Sequence, residues 1–305
     1  MRLLITGASG LLGLNLCLLA GAQGHQVTGL SYSQRLRGIP FNLKQVDLRD
    51  EKRALGLIED ADPEAIIHCA AIANINAAEK DPISTNQINS VVPGWLAGAA
   101  ASWDIPFVHI SSDAVFDGAV GGYREMDIPH PLSRYAQSKL EGEQAVQEAN
   151  PSAIVARVVF YGWSLSGKRS LSEFFFNHLL EGKSANGFVD TFFCPLYVED
   201  LGRILLEMIE KGCSGLYHVT SPESLSKYEF GVRIAQRFGF DPDLIVPIRA
   251  SEIDRGAVRS LNLTLRSDKL EAALGHPLPS VDEGIEKLYQ RWQEGLPAYL
   301  QSLAV

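Results

Sequence analysis

Arg2-Leu3-Leu4-Ile5-Thr6-Gly7-Ala8-Ser9-Gly10-Leu11-Leu12-Gly13 opens the chain directly after its first residue. An apolar run of strand length ends at Thr6, glycines follow at 7, 10 and 13, and a helical pattern runs from Leu11 to about Ala22. In such a turn one glycine permits the tight bend, one lets the backbone approach a pyrophosphate, and one lets the helix pack on the strand. The helix start adds free N–H groups and the positive end of its dipole. A glycine triplet alone is a weak signal; the strand before it and the helix after it make it a dinucleotide-binding pattern. Gly7, Ser9, Gly10, Leu11, Leu12 and Gly13 are therefore the expected contacts on the phosphate side of a nicotinamide cofactor. The apolar stretch Leu3–Ala22 could also pass for an export signal, but turn-forming residues 6–10 interrupt it, so strand–turn–helix is the better account.

Outward from this turn, strand and helix patterns alternate. Strands are expected at Gln26–Leu30, Leu43–Val46, Ala65–Cys69, Pro106–Ile110 and Ala153–Val159, as continuous apolar runs that suit burial on both faces. Helices are expected at Glu51–Glu59, at Thr85–Ser102 with a kink at Pro93, and between Pro131 and Pro151. The pattern predicts an α/β fold: a Rossmann-type, doubly wound parallel sheet with a smaller C-terminal lobe. The expected division is 1–162 as the cofactor-binding core and 163–305 as the substrate-binding lobe, with 198–220 rejoining the core.

The chain has 305 residues, enough for a full core without disulfide or metal staples. Its net charge of −9 works against nucleic-acid binding, which needs a basic face. The four cysteines, Cys17, Cys69, Cys194 and Cys213, form no close pair. They read as buried free thiols, with a reducing cytoplasm as the expected compartment. Apart from the interrupted stretch Leu3–Ala22, no run approaches the ~18 apolar residues of a membrane span. His68 and His109 read as core histidines, Phe174-Phe175-Phe176 as lobe packing, and Trp163 as either packing or pocket wall.

Ser31-Tyr32-Ser33-Gln34-Arg35 follows the second strand without an acid. An acid there would hold a ribose 2′-hydroxyl, whereas a base accommodates a 2′-phosphate. Arg35, helped by Ser31, makes NADP the expected cofactor, NADPH preferred and NADH admissible. Asp47 and Leu48 fall where an adenine pocket is expected, and Ala70, Ala71 and Ile72 where the chain must run close to the cofactor. Tyr135 and Lys139, four apart, share one helix face. With Ser111-Ser112-Asp113 past the fifth strand, a serine, a tyrosine and a lysine converge at the carboxyl edge of the sheet. A tyrosine near its ordinary pKa of ~10 is a poor acid–base group, and a nearby ammonium would lower it. The serine would stabilise charge on a carbonyl oxygen.

With the 6–13 turn, Ile110–Gly118, Tyr135–Glu143, Arg157–Gly162, Pro195–Leu201, Gly215–His218 and the segments 259–262 and 269–270 quoted together, the chain resembles an extended short-chain dehydrogenase/reductase. Within that superfamily it is similar to the dTDP-4-dehydrorhamnose reductase family over nearly its whole length. The resemblance puts the catalytic serine on Ser112 rather than Ser111, the tyrosine and lysine on Tyr135 and Lys139 (both also touching the cofactor), a helix asparagine on Asn89, and a sugar-site aromatic on Phe160. Ser112, Asp113, Phe160, Arg259 and Asn262 are the expected substrate contacts, with Arg259 a candidate fork for a diphosphate. The chain departs from the family at Ala114, at Ile72–Ala77, at Thr191-Phe192-Phe193-Cys194 (where the family favours Gln and Gly), at Ser260 and at Arg266. The departures cluster on the substrate side. The implied activity is NADPH-dependent reduction of a 4-keto nucleotide sugar by an enzyme that leaves room for a homodimer. The alternatives are a nucleotide-sugar epimerase or dehydratase, or a regulatory subunit like the methionine adenosyltransferase β subunit.

Overall fold

The computed structural model describes residues 1–253 and 260–305; Arg259 lies outside the described residues. Six strands, β1 (Arg2–Thr6), β2 (Gln26–Ser31), β3 (Asn42–Gln45), β4 (Ala65–His68), β5 (Phe107–Ser112) and β6 (Ile154–Val158), join a seventh, Gly215–Val219, in one sheet. The order is Gly215–Val219, β6, β5, β4, β1, β2, β3, and every pairing is parallel. The chain runs outward from β1 in both directions, so the crevice beside its carboxyl end is the switch point where such sheets bind ligands.

Two glycines make the first turn. Gly7 is left-handed (φ 66°), and a Cβ there would meet the Ala70 backbone at 2.8 Å. A Cβ at Gly13 would collide with the Gly7 carbonyl. Helix Leu11–Ala22 packs by Leu16 and Leu19 against Gly202 of helix Val198–Glu210 on one face of the sheet. On the other face Gly94 of helix Val92–Ser102 meets Ala145 of helix Arg134–Ala149.

The long helix read across Thr85–Ser102 is interrupted once. A short helix, Pro82–Asn86, gives way to a π-turn at Gln87–Val91 before Val92–Ser102 continues with Pro93 in its first turn. Proline lacks the N–H that a straight helix would use, and the widened turn absorbs the defect. The bulge brings the Asn89 carbonyl so close to helix Arg134–Ala149 that only a glycine, Gly142, fits beneath it.

The second half of the chain supplies helices Leu171–Leu180, Lys227–Phe238 and Val281–Gln293. Trp163 is buried, stacked edge-on against Phe176, and its indole N–H donates to the Leu288 carbonyl at 3.0 Å. Phe175 and Phe176 are buried as well, while Phe174 is exposed. His68 and His109 stack side by side inside the sheet at 5.6 Å. Among the described residues no helix is long and apolar enough to cross a membrane.

Candidate active site

A cleft of about 390 Å³ opens at the switch point. Gly7, Ser9 and Gly10 form its floor, Ala70, Ala71 and Ile72 one wall, and Ser31, Asp47 and Leu48 the far end. Gly10 caps helix Leu11–Ala22 without a side-chain hydrogen bond, and the first turn carries no acid. The first N–H groups of the helix are therefore left for an anion. These features fit a dinucleotide: a close-approach turn, N–H donors for the phosphates, and an extended groove over the sheet edge.

Several sequence-read residues stand elsewhere. Leu11, Leu12 and Gly13 build the helix start but do not line the cleft. Arg35 is exposed and does not line it either. The cations that do are Arg49 and Arg169. Arg49 grips the Asp47 carboxylate at 2.6–3.0 Å and reaches the Tyr32 hydroxyl at 3.4 Å. This pairing holds the Asp47 carboxyl below its ordinary range. The signal for Arg49 was two residues past Asp47; Arg169 lies in a loop between elements and left none.

Asn89 does not line the cleft but shapes it. Its amide accepts from Ile72 N–H at 2.8 Å and donates to Ile72 O and the Ser138 hydroxyl, both at 3.0 Å. It thus ties the segment after β4 to the helix that carries Tyr135 and Lys139.

A second pocket, about 250 Å³, holds Ser112, Asp113 and Tyr135 beside Thr191, Lys227 and an apolar wall of Ala73, Ile75, Ala114, Phe192, Phe193 and Leu263. Ser112 ends β5, donates to Asp113 Oδ1 at 2.9 Å, accepts from Ala114 N–H at 3.1 Å and shares the pocket with the Tyr135 phenol, whose pKa it lowers. Ser111 faces away into the core, donating to Glu143 at 2.5 Å. Lys139 is buried behind the pocket, with its ammonium donating to Ile110 O at 2.6 Å and lying 3.4 Å from His109 Nε2.

The electrostatics differ from the sequence expectation in sign. Burial, with Asp113 adding to it, pushes the Tyr135 phenol up to about 12 despite the opposing effect of Ser112. Burial also pulls Lys139 down to about 8, opposed by Glu143 and Cys69. The ammonium is directed at Ile110 and His109, so desolvation decides the Tyr135 value and the phenol stays protonated at neutral pH.

Two expected sugar contacts are absent from this pocket. Phe160 pairs with Leu196 in a short lobe strand, and its neighbour Val159 lines the pocket instead. Asn262 is used on the 118–122 loop: its side chain donates to Val120 O at 3.2 Å and accepts from the Thr264 hydroxyl at 2.8 Å. Ile72 belongs to the cofactor cleft rather than the sugar side. Thr191 and Leu263 come from connections, Phe192 from a two-residue strand and Lys227 from the start of helix Lys227–Phe238, a set that periodicity does not place together.

Asp113 is pushed up to about 6, by burial first, against the Ser112 bond and the charge of Lys227. A carboxyl raised on folding binds its proton more tightly in the folded state. Its penalty is absent below about pH 4, where both states are protonated, and complete above about pH 6. Asp113→Asn is expected to stabilise the protein by about 1–3 kcal/mol at pH ~8 and to leave it unchanged at pH ~4. Thermal melts at the two pH values check this; equal shifts would contradict it.

A parallel sheet with a glycine turn at its switch point, and a serine–tyrosine pair in the adjoining pocket, define the class: an NAD(P)-dependent oxidoreductase of the short-chain dehydrogenase/reductase type. Comparison with known proteins narrows it. The family model described as the RmlD substrate binding domain matches residues 1–294, and the chain belongs to that family. It is 33% identical to the probable low-salt glycan biosynthesis reductase Agl14 of Haloferax volcanii, over 94% of this chain and 97% of the relative. It is 35% identical to methionine adenosyltransferase 2 subunit beta of Bos taurus, over 88% and 81%. The crystal structure of dTDP-4-dehydrorhamnose reductase from Bacillus anthracis in complex with NADP superposes with a TM-score of 0.85 at 25% identity, covering 95% of this chain and 98% of that one.

Proposed function

We propose that the protein reduces the keto group of a 4-keto-6-deoxy nucleotide sugar with NADPH. The observation that carries this reading is the second pocket, where Ser112 and Tyr135 face a mostly apolar wall in about 250 Å³ of space beside the cofactor cleft. Reduced nicotinamide supplies the hydride for the carbonyl carbon. Tyr135, protonated at neutral pH, hands its proton to the carbonyl oxygen. Ser112, whose proton is held by Asp113 in the free pocket, turns it to the same oxygen as charge develops there. Asn89 holds the chain against which the nicotinamide end lies. In this reading residues 1–162 bind the cofactor and 163–305 close on the sugar, with 198–220 returned to the core sheet.

The preference for NADPH rests on the far end of the cleft. Among the described residues that line it, Asp47 is the one carboxylate, and Arg49 neutralises it. Arg49 thus takes the 2′-phosphate role first read onto Arg35. Arg49→Ala removes the cation and frees the Asp47 charge, so NADPH affinity is expected to fall roughly ten-fold while NADH affinity barely moves. Arg35→Ala should change neither. Titration of both cofactors against both variants decides between the two arginines.

A screen of 4-keto nucleotide sugars on different nucleotides, following NADPH oxidation and identifying the product by NMR, tests the activity. Oxidation with at least one 4-keto-6-deoxy sugar is expected; none would end the proposal. The similarity to methionine adenosyltransferase 2 subunit beta favours a second reading, a regulatory chain, which predicts binding to a partner synthetase with no NADPH consumed.

A further inference from the structure

Five buried side-chain atoms have no hydrogen-bond partner among the described residues: His68 Nε2, His109 Nδ1, Thr191 Oγ1, Asp200 Oδ2 and Thr220 Oγ1. Of these residues, Thr191 alone lines the pocket that holds Ser112 and Tyr135. Buried polar groups in native proteins are almost always paired, because an unmade hydrogen bond forfeits the water it lost. An unpaired hydroxyl in a ligand pocket is therefore a group set aside for the ligand.

The backbone around Thr191 is clamped. Its carbonyl accepts from Lys227 N–H at 2.9 Å, the preceding Asp190 carboxylate accepts from Ala250 N–H at 2.9 Å, and the following Phe192 N–H donates to Leu261 O at 2.7 Å. The residue is 4% exposed, so its hydroxyl has little freedom to turn toward bulk water. A hydroxyl both donates and accepts, which matches another hydroxyl and not a methyl group. Ala73, Ile75, Phe193 and Leu263 form the apolar remainder of the wall. Beside the polar groups of Ser112, Asp113, Ser133, Lys227 and Ser260, the pocket thus adds an unpaired hydroxyl next to an apolar surface that favours deoxygenated carbon.

We propose that Thr191 is a specificity-determining residue that hydrogen-bonds one ring hydroxyl of the sugar, so that the pocket selects a 6-deoxyhexose which keeps that hydroxyl. The inference rests on the nucleotide-sugar reading above and adds a substrate contact that neither the glycine turn nor the Ser112–Tyr135–Lys139 set supplies.

The test is steady-state kinetics of wild type, Thr191→Val and Thr191→Ser with a 4-keto-6-deoxy nucleotide sugar and with its 2-deoxy and 3-deoxy analogues. Thr191→Val is expected to raise KM for the parent sugar about ten- to a hundred-fold, with the Kd for NADPH unchanged. Thr191→Ser, which keeps the hydroxyl, should stay near wild type. One of the two deoxy analogues should bind wild type poorly and lose that penalty in Thr191→Val, as a lost shared hydrogen bond requires. The melting temperature of free Thr191→Val should not fall, because no protein partner is removed. An unchanged KM, the same deoxy penalty in both proteins, or a large loss of stability would each overturn the role of Thr191. Wild type that oxidises NADPH with no sugar in the set would instead remove the substrate reading, and this inference with it.

Discussion

Tyr135→Phe is expected to lower kcat for reduction by about 10²–10⁴-fold, while the Kd for NADPH stays within a factor of about two. The phenol, pushed up to about 12, is a protonated acid that shares the second pocket with Ser112. Phenylalanine keeps the ring that packs there and removes only the proton. Substrate binding should therefore hold while the step that delivers the proton fails. Asp113, the other acid in this pocket, is pushed up to about 6 and is mostly ionised at neutral pH, so it cannot replace the phenol fully. Single-turnover kinetics on both proteins check this, and a Tyr135→Phe variant with wild-type turnover would rule out the proposed acid.

The largest stability effect is expected from the ion pair beneath the site. Arg157 on β6 binds Glu143 through two bonds, Nε to Oε1 at 2.9 Å and Nη2 to Oε2 at 2.7 Å, and both side chains are 3% exposed. Ser111 adds a third bond to the same carboxylate, and the guanidinium lies 4.9 Å above the Phe116 ring. Breaking a buried pair on one side strands a charge, at a cost of about 3–5 kcal/mol. Arg157→Leu and Glu143→Leu are each expected to lose about that much in urea unfolding. The double variant strands no charge and should recover most of the loss. Additive losses in the double variant would mean that the pair contributes packing and not paired charge.

The glycine turn carried most of the fold because its requirements are local. Gly7 needs a left-handed φ and Gly13 needs the absence of a Cβ, so their spacing shows in the sequence whatever surrounds it. The buried strands were legible for a similar reason, as short apolar runs between turns. The π-turn at Gln87–Val91 was not, because only Pro93 marked it and proline alone does not specify how a helix yields. The second pocket was the least legible part. Thr191 and Leu263 in connections and Lys227 at the start of a helix are far apart in sequence, and no periodicity links them. Arg35 and Arg49 illustrate the limit at the cofactor end. Both are basic residues near strand ends, and only the tertiary path of the chain places Arg49 against Asp47 and the cleft.

The proposed reduction stands on hydride transfer to a sugar carbonyl with net consumption of NADPH. The most direct measurement uses NADPH deuterated at the transferring position of the nicotinamide, incubated with the enzyme and a 4-keto-6-deoxy nucleotide sugar. One deuterium should appear on the former carbonyl carbon of the product for each NADPH oxidised. Sugar product without deuterium, or no loss of NADPH while the protein binds a partner synthetase, would contradict it.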